Sequence, residues 1–158
     1  MKLTIELVPK TCWCSNLRSI LDKKDWNTLR KNTYKLAGHH CEICGKKETN
    51  RAIDCHEMWE YNDENKIQRL KGLIALCPSC HEVKHIGYAN TQNRGLIAIK
   101  HLAQINQWNI EKAQEYVKQC FEIWAWRSKF NWTLDLSHLE NITLHEVKYI
   151  NKILPKNG

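Results

Sequence analysis

Two short stretches decide how this chain folds: Cys41-Glu42-Ile43-Cys44-Gly45, and Leu76-Cys77-Pro78-Ser79-Cys80-His81-Glu82-Val83-Lys84-His85. Each contains a Cys-x2-Cys turn, and 32 residues separate the two turns. One such turn aims two thiolates at an ion, and two turns complete the tetrahedron of a structural zinc site with no open position. The sequence between them is patterned as a hairpin. Arg51 to Tyr61 reads as a strand, Asn62-Asp63-Glu64-Asn65 as a turn, and Lys66 to Leu76 as a returning strand interrupted near Gly72. Pro78 then opens a helix expected to run through His81 and His85 towards Ala89. Zinc held by Cys41, Cys44, Cys77 and Cys80 would pin the base of the hairpin to the start of that helix, a clamp that so small a unit needs.

The same unit carries a second group of polar residues. His81 and His85 stand four apart on one helix face, the spacing at which two imidazoles can share a metal. Asp54-Cys55-His56-Glu57 lies on the first strand of the hairpin that the zinc site ties to this helix. Four thiolates and one Zn(II) leave the clamp with a net charge of about −2. Phosphate chemistry in this segment therefore calls for a further cation.

Taken together, Cys41 to Gly45, Cys55-His56-Glu57, Leu76 to His81 and His85 resemble an HNH endonuclease of the ββα-metal class with the four-cysteine zinc elaboration. The likeness spans residues 38–90, roughly a third of the chain. It implies a metal-dependent DNA endonuclease that hydrolyses phosphodiester bonds to 5′-phosphate and 3′-hydroxyl ends. It further implies one divalent ion (Mg, Mn, Ni or Zn) held by His81 and His85, with a strand histidine as general base. Position by position, His56 matches the base, and Cys55 falls where the family carries a further ligand. A shifted register makes His56 the third ligand and Glu57 the base. The chain departs from the family at Cys55 and at Gly72, which stands where the family's Asn is expected; Asn62 and Asn65 in the turn are the candidates to replace that amide. These departures leave a second reading open, a zinc-stabilised nucleic-acid-binding module with a degenerate site.

Outward from this unit, both flanks are basic. The 158 residues carry a formal charge of +7, divided as +5 over residues 1–40, −1 over 41–90 and +3 over 91–158. Such flanks suit a polyanion, with double-stranded DNA as the expected partner. Lys2 to Val8 alternates as a short strand, although Glu6 interrupts its apolar run. Trp26, Leu29, Thr33 and Leu36 form one helical stripe that stops at Gly38, and Arg30, Lys31 and Lys35 on that helix, together with Lys84, are candidate phosphate contacts. Beyond residue 90, Leu96 to Ile105 and Ala113 to Trp124 read as amphipathic helices, the second capped by Asn109. Thr143-Leu144-His145-Glu146 reads as the capping box of a last helix. The expected architecture is α+β: a basic strand-and-helix arm (1–37), the zinc-bound core (38–90) and a helical extension (91–158). No apolar run exceeds about five residues, against the roughly 18 that span a bilayer. With no apolar leader, a cytoplasmic protein is expected.

Overall fold

The computed structural model describes residues 1–47 and 53–139. The fold is of the α+β class. Six α-helices and three strands follow in the order α1 (Leu17–Ile20), α2 (Lys23–Leu36), β1 (Asp54–Asn62), β2 (Ile67–Leu76), α3 (Pro78–Lys84), α4 (Ile86–Thr91), α5 (Gly95–Asn106), α6 (Ile110–Arg127) and β3 (Thr133–Asp135). β1 and β2 pair antiparallel, and β3 adds to β2 in parallel, so β1 is an edge strand.

The hairpin forms where alternation and turn chemistry agree. Asn62 Oδ1 accepts from the backbone N–H groups of Glu64 and Asn65, which bends the chain back on itself. That task occupies the Asn62 side chain at the far end of β1 from His56. The register slips by one between Met58 and Trp59, with Met58 opposite Gly72 and Trp59 opposite Leu70, so Lys71 is the extra residue of a bulge. A side chain at Gly72 would approach the Met58 methyl to 3.2 Å.

Two apolar clusters cover the two faces of this sheet. The larger joins Leu3, Ile5, Leu76, Val83, Ile86, Leu102 and Ala113, uniting the first residues of the chain with α3 to α6. The smaller joins Leu17, Leu21, Leu29, Leu70, Leu136 and Leu139, which seats α1 and α2 on the other side. Each fully buried Leu or Val contributes roughly 1.5–3 kcal/mol.

Residues 2–8 do not form a strand. They run extended across the helices: Asn106 Oδ1 accepts from the backbone N–H groups of Lys2 and Leu3, and the Asn106 side-chain amide donates back to the Leu3 carbonyl. The backbone N–H of Glu6 donates to the Lys84 carbonyl at 3.1 Å. Thus the segment belongs to the core instead of projecting as an arm.

α2 begins at Asp22, whose carboxylate caps the Asp25 N–H at 2.8 Å, and stops before Gly38 at φ +57°. Leu29 and Thr33 are buried as the stripe predicts, but Leu36 is 89% exposed, since the last turn runs past the sheet. The helix after Pro78 breaks at His85, which lies outside helical geometry between α3 and α4. α6 follows its apolar stripe, with Ala113 and Val117 buried and Asn109 Oδ1 capping the Lys112 N–H, whereas α5 buries Ala98, Leu102 and Ala103 but leaves Leu96 67% exposed. The capping box at Thr143–Glu146 lies outside the described residues. Among the described residues no helix is long and apolar enough to cross a membrane.

Candidate functional site

The two cysteine turns meet. Sγ atoms of Cys41, Cys44, Cys77 and Cys80 all lie within 4.8 Å of one another, so the four can share one zinc ion. Cys77 is the N-cap of α3 and directly follows β2, which places the cluster at the joint between strand and helix. The surroundings suit thiolate ligands. A thiol hydrogen bond from Cys80 and the backbone N–H groups of Cys44, Cys77 and Ile43 push Cys41 down to about 4 against burial. Burial, with the neighbouring Cys41 charge, pushes Cys77 up to about 11. Competing sulfurs of this kind are the donor set that a dication reconciles. His101 of α5 adds an outer contact, Nε2 to Cys80 Sγ at 3.2 Å.

Beside this cluster stands the second. One ring nitrogen from each of His56, His81 and His85 lies within 4.8 Å of the other two. β1 supplies His56 and the break after α3 supplies His85, whose N–H still bonds the His81 carbonyl at 3.2 Å. His56 is 4% exposed and held at both nitrogens: Nδ1 lies 3.2 Å from His85 Nε2, and Nε2 lies 3.0 Å from Glu6 Oε2. A carboxylate can only accept, so Nε2 carries the proton and Nδ1 presents its lone pair towards His85. In the same way Asp54 Oδ2, 3.2 Å from His81 Nδ1, leaves His81 Nε2 free. Burial, reinforced by the neighbouring His56 and His81, pushes His85 down to about 3, and burial also lowers His56 against the pull of Glu6. His56 and His85 therefore present neutral ring nitrogens of the type that divalent ions accept.

Strand alternation separates the other candidates. Asp54 and His56 face the histidine cluster. Cys55 interacts with Thr33 of α2, and Glu57 Oε1 accepts from the Leu17 N–H at 2.9 Å, so both side chains are engaged away from the histidines, although they line the same cavity. Neither Cys55 as further ligand nor Glu57 as base, as the two sequence registers require, joins the three histidines. Burial pushes the Glu57 carboxyl up to about 7, against hydrogen bonds from the Leu17 N–H, the Trp59 side chain and the Arg18 N–H. A carboxyl raised in the folded state loses stability as pH climbs from its unfolded value through about 7. Glu57→Gln keeps the acceptor for Leu17, so at pH 8 it should stabilise the fold by about 1 kcal/mol and flatten the pH dependence. Chemical unfolding at pH 5 and pH 8 checks this.

Lys84, expected at a phosphate, is turned inward. It is 4% exposed, and its Nζ donates to Thr4 Oγ1 at 2.7 Å and to Glu6 Oε1 at 2.5 Å. An ammonium on a core-facing helix position must find partners inside, and Glu6 provides them. Burial opposes ionisation of Glu6, but His56 and Lys84 outweigh it and hold its carboxyl below the ordinary value. Glu6→Gln would leave the buried Lys84 charge without its partner, at a cost of about 3–5 kcal/mol. Adding Lys84→Met should recover most of that loss, and denaturant midpoints of the single and double variants provide the check.

Arg30, Lys31 and Lys35 lie on α2, on the sheet side away from His56. Lys31 and Lys35 are exposed, and Arg30 Nε donates to Asn27 Oδ1 at 2.8 Å. Sequence reasoning missed Glu6, Asp54 and His101 as partners of the two clusters. A charged residue inside the apolar 2–8 run was the available sign for Glu6, and shared strand parity with His56 was the sign for Asp54.

Searched against known proteins, the chain matches no family model, no curated protein and no solved structure.

Proposed function

We propose that the chain is a metal-dependent DNA endonuclease of the HNH, ββα-metal type. The observation that carries this reading is the convergence of a histidine on the hairpin with two on the following helical segment, beside a four-cysteine cluster. His81 and His85 would hold the divalent ion. Bound there, such an ion supplies Lewis-acid stabilisation of charge on the phosphate and the departing oxygen. His56 removes the proton from water. Its Nε2–H is tied to Glu6, so the unprotonated Nδ1 faces the point where the other two imidazoles meet, and burial, which lowers its pKa, keeps the imidazole neutral and free to take a proton at neutral pH. Glu6 fixes the tautomer and is neutralised in turn by Lys84. Supercoiled plasmid incubated with Mg(II), Mn(II), Ni(II) or Zn(II) should become nicked or linear, and a chelator should stop it. No conversion of plasmid, and no cutting of a single-stranded oligonucleotide, with any of the four would sink the reading.

The basic α2 is proposed to hold the phosphate backbone without reading bases. Replacing Lys31 and Lys35 by Gln should weaken binding equally for all sequences and flatten the slope of log K against log[salt] by up to about 2. An unchanged slope would make these lysines a solvated face. Gly72 and Cys55, which is engaged with α2 and not with the histidines, favour the second reading, a zinc-stabilised nucleic-acid-binding module that no longer cuts. Binding without cleavage in the plasmid assay selects it.

A further inference from the structure

The three histidines also line a cavity of about 710 Å³, within the range of sites that enclose a small ligand. Much of the remaining wall is aromatic: Trp13, Trp26, Trp59, Tyr88, Phe121 and Trp124. None of the six is buried, and Trp13 and Tyr88 are 60% and 69% exposed, an expensive arrangement for side chains that serve only packing. Three of the indoles have already used their polar group. Trp59 donates to the Glu57 carboxyl, and Trp13 Nε1 and Trp124 Nε1 both donate to the Val8 carbonyl, at 3.1 and 3.0 Å; Lys10 Nζ lies over the Trp124 ring at 5.2 Å, so Trp13 offers the freer face.

We infer that this cavity takes an unpaired nucleobase, so that the substrate is DNA with an unstacked base next to the cut phosphate: a single strand, a flap or a gap. This rests on the nuclease reading and narrows it. The cavity and the histidine cluster share one wall, so a ligand in the cavity has its neighbouring groups at the proposed cutting centre. A flat ring that stacks on aromatic faces, carried on a polyanion that a chain of charge +7 attracts, is a base on a nucleic-acid strand. In a duplex the faces of each base are already covered by its neighbours, and entering the cavity would cost the unstacking energy. An intact double helix is therefore the poorer substrate.

The test uses binding, so that it stands apart from cleavage. A labelled strand of about 12 nucleotides, and a blunt duplex of the same sequence, are titrated into the protein without added divalent ion while anisotropy and tryptophan emission are followed. The single strand should bind at least about 10-fold more tightly and quench the emission. Trp13→Ala and Tyr88→Ala should each weaken single-strand binding by roughly 5- to 100-fold and leave duplex binding unchanged. Both side chains are more than half exposed, so the variants should melt as the parent does. Equal affinity for strand and duplex, or variants that bind the strand like the parent, would overturn the inference even if plasmid is cut. A strand preference lost in both variants, with no cutting under any metal, would keep the base pocket and remove the nuclease.

Discussion

Cys77→Ser is expected to abolish cooperative folding. Cys77 is 1% exposed, caps α3, and lies in the apolar cluster that joins residues 3 and 5 to α5 and α6. A structural zinc ion contributes about 10–16 kcal/mol to the fold that binds it, as much as or more than the roughly 5–15 kcal/mol by which a domain is stable. Serine is a poor zinc ligand and places a hydroxyl among sulfurs. Circular dichroism on heating should show no cooperative transition, or one lowered by tens of degrees, and elemental analysis should find the zinc gone. Prolonged treatment of the parent with a strong chelator should reproduce the same curve. Parental melting in a zinc-free variant would mean that the four sulfurs are ordinary core thiols.

The other large effect is expected at His56. His56→Ala should lower kcat by about 10²- to 10⁴-fold, while DNA affinity stays near that of the parent, because a general base matters in the transition state and not in the bound ground state. His56 is buried, so truncation also leaves a small cavity and an unpaired Glu6 oxygen. Melting of the variant must be recorded beside its kinetics, at a temperature where it remains folded. His85→Ala offers the comparison: it should also lose cutting, yet keep the zinc held by the four cysteines. Cleavage by His56→Ala at the parental rate would remove the proposed mechanism, whichever metal is supplied.

The sequence made the scaffold of this site plain and its inner partners obscure, and the reason is physical. Local rules suffice for a Cys-x2-Cys turn, an Asn at a hairpin turn or an Asn before α6, because spacing along one element sets the geometry, whereas His81 and His85 meet although the helix breaks at His85. The hairpin limits were accordingly legible to within a few residues: β1 is Asp54–Asn62 and β2 is Ile67–Leu76. Contacts across the chain follow no such rule. Glu6 reaches His56 across 50 positions and Lys84 across 78. Lys84 looked like a surface charge because its helix position alone does not reveal which element covers it. Cys55 and Glu57 were drawn into the site by adjacency to His56, although alternation along β1 sends neighbours to opposite faces. The family pattern was followed there at the expense of the pleat.

The seating of residues 2–6 bears on when the histidine cluster can gain all its supports during synthesis of the chain. Asn106 clasps Lys2 and Leu3, and the Tyr116 hydroxyl accepts from the Ile5 N–H. Both anchors lie far downstream, so a nascent chain displaying the hairpin, both cysteine pairs and all three histidines has only the Lys84 contacts to place Glu6 behind His56. A ribosome must release α5 and much of α6 before the remaining anchors are in place. Translation itself thereby postpones the complete seating of Glu6 behind His56 until those two helices are made.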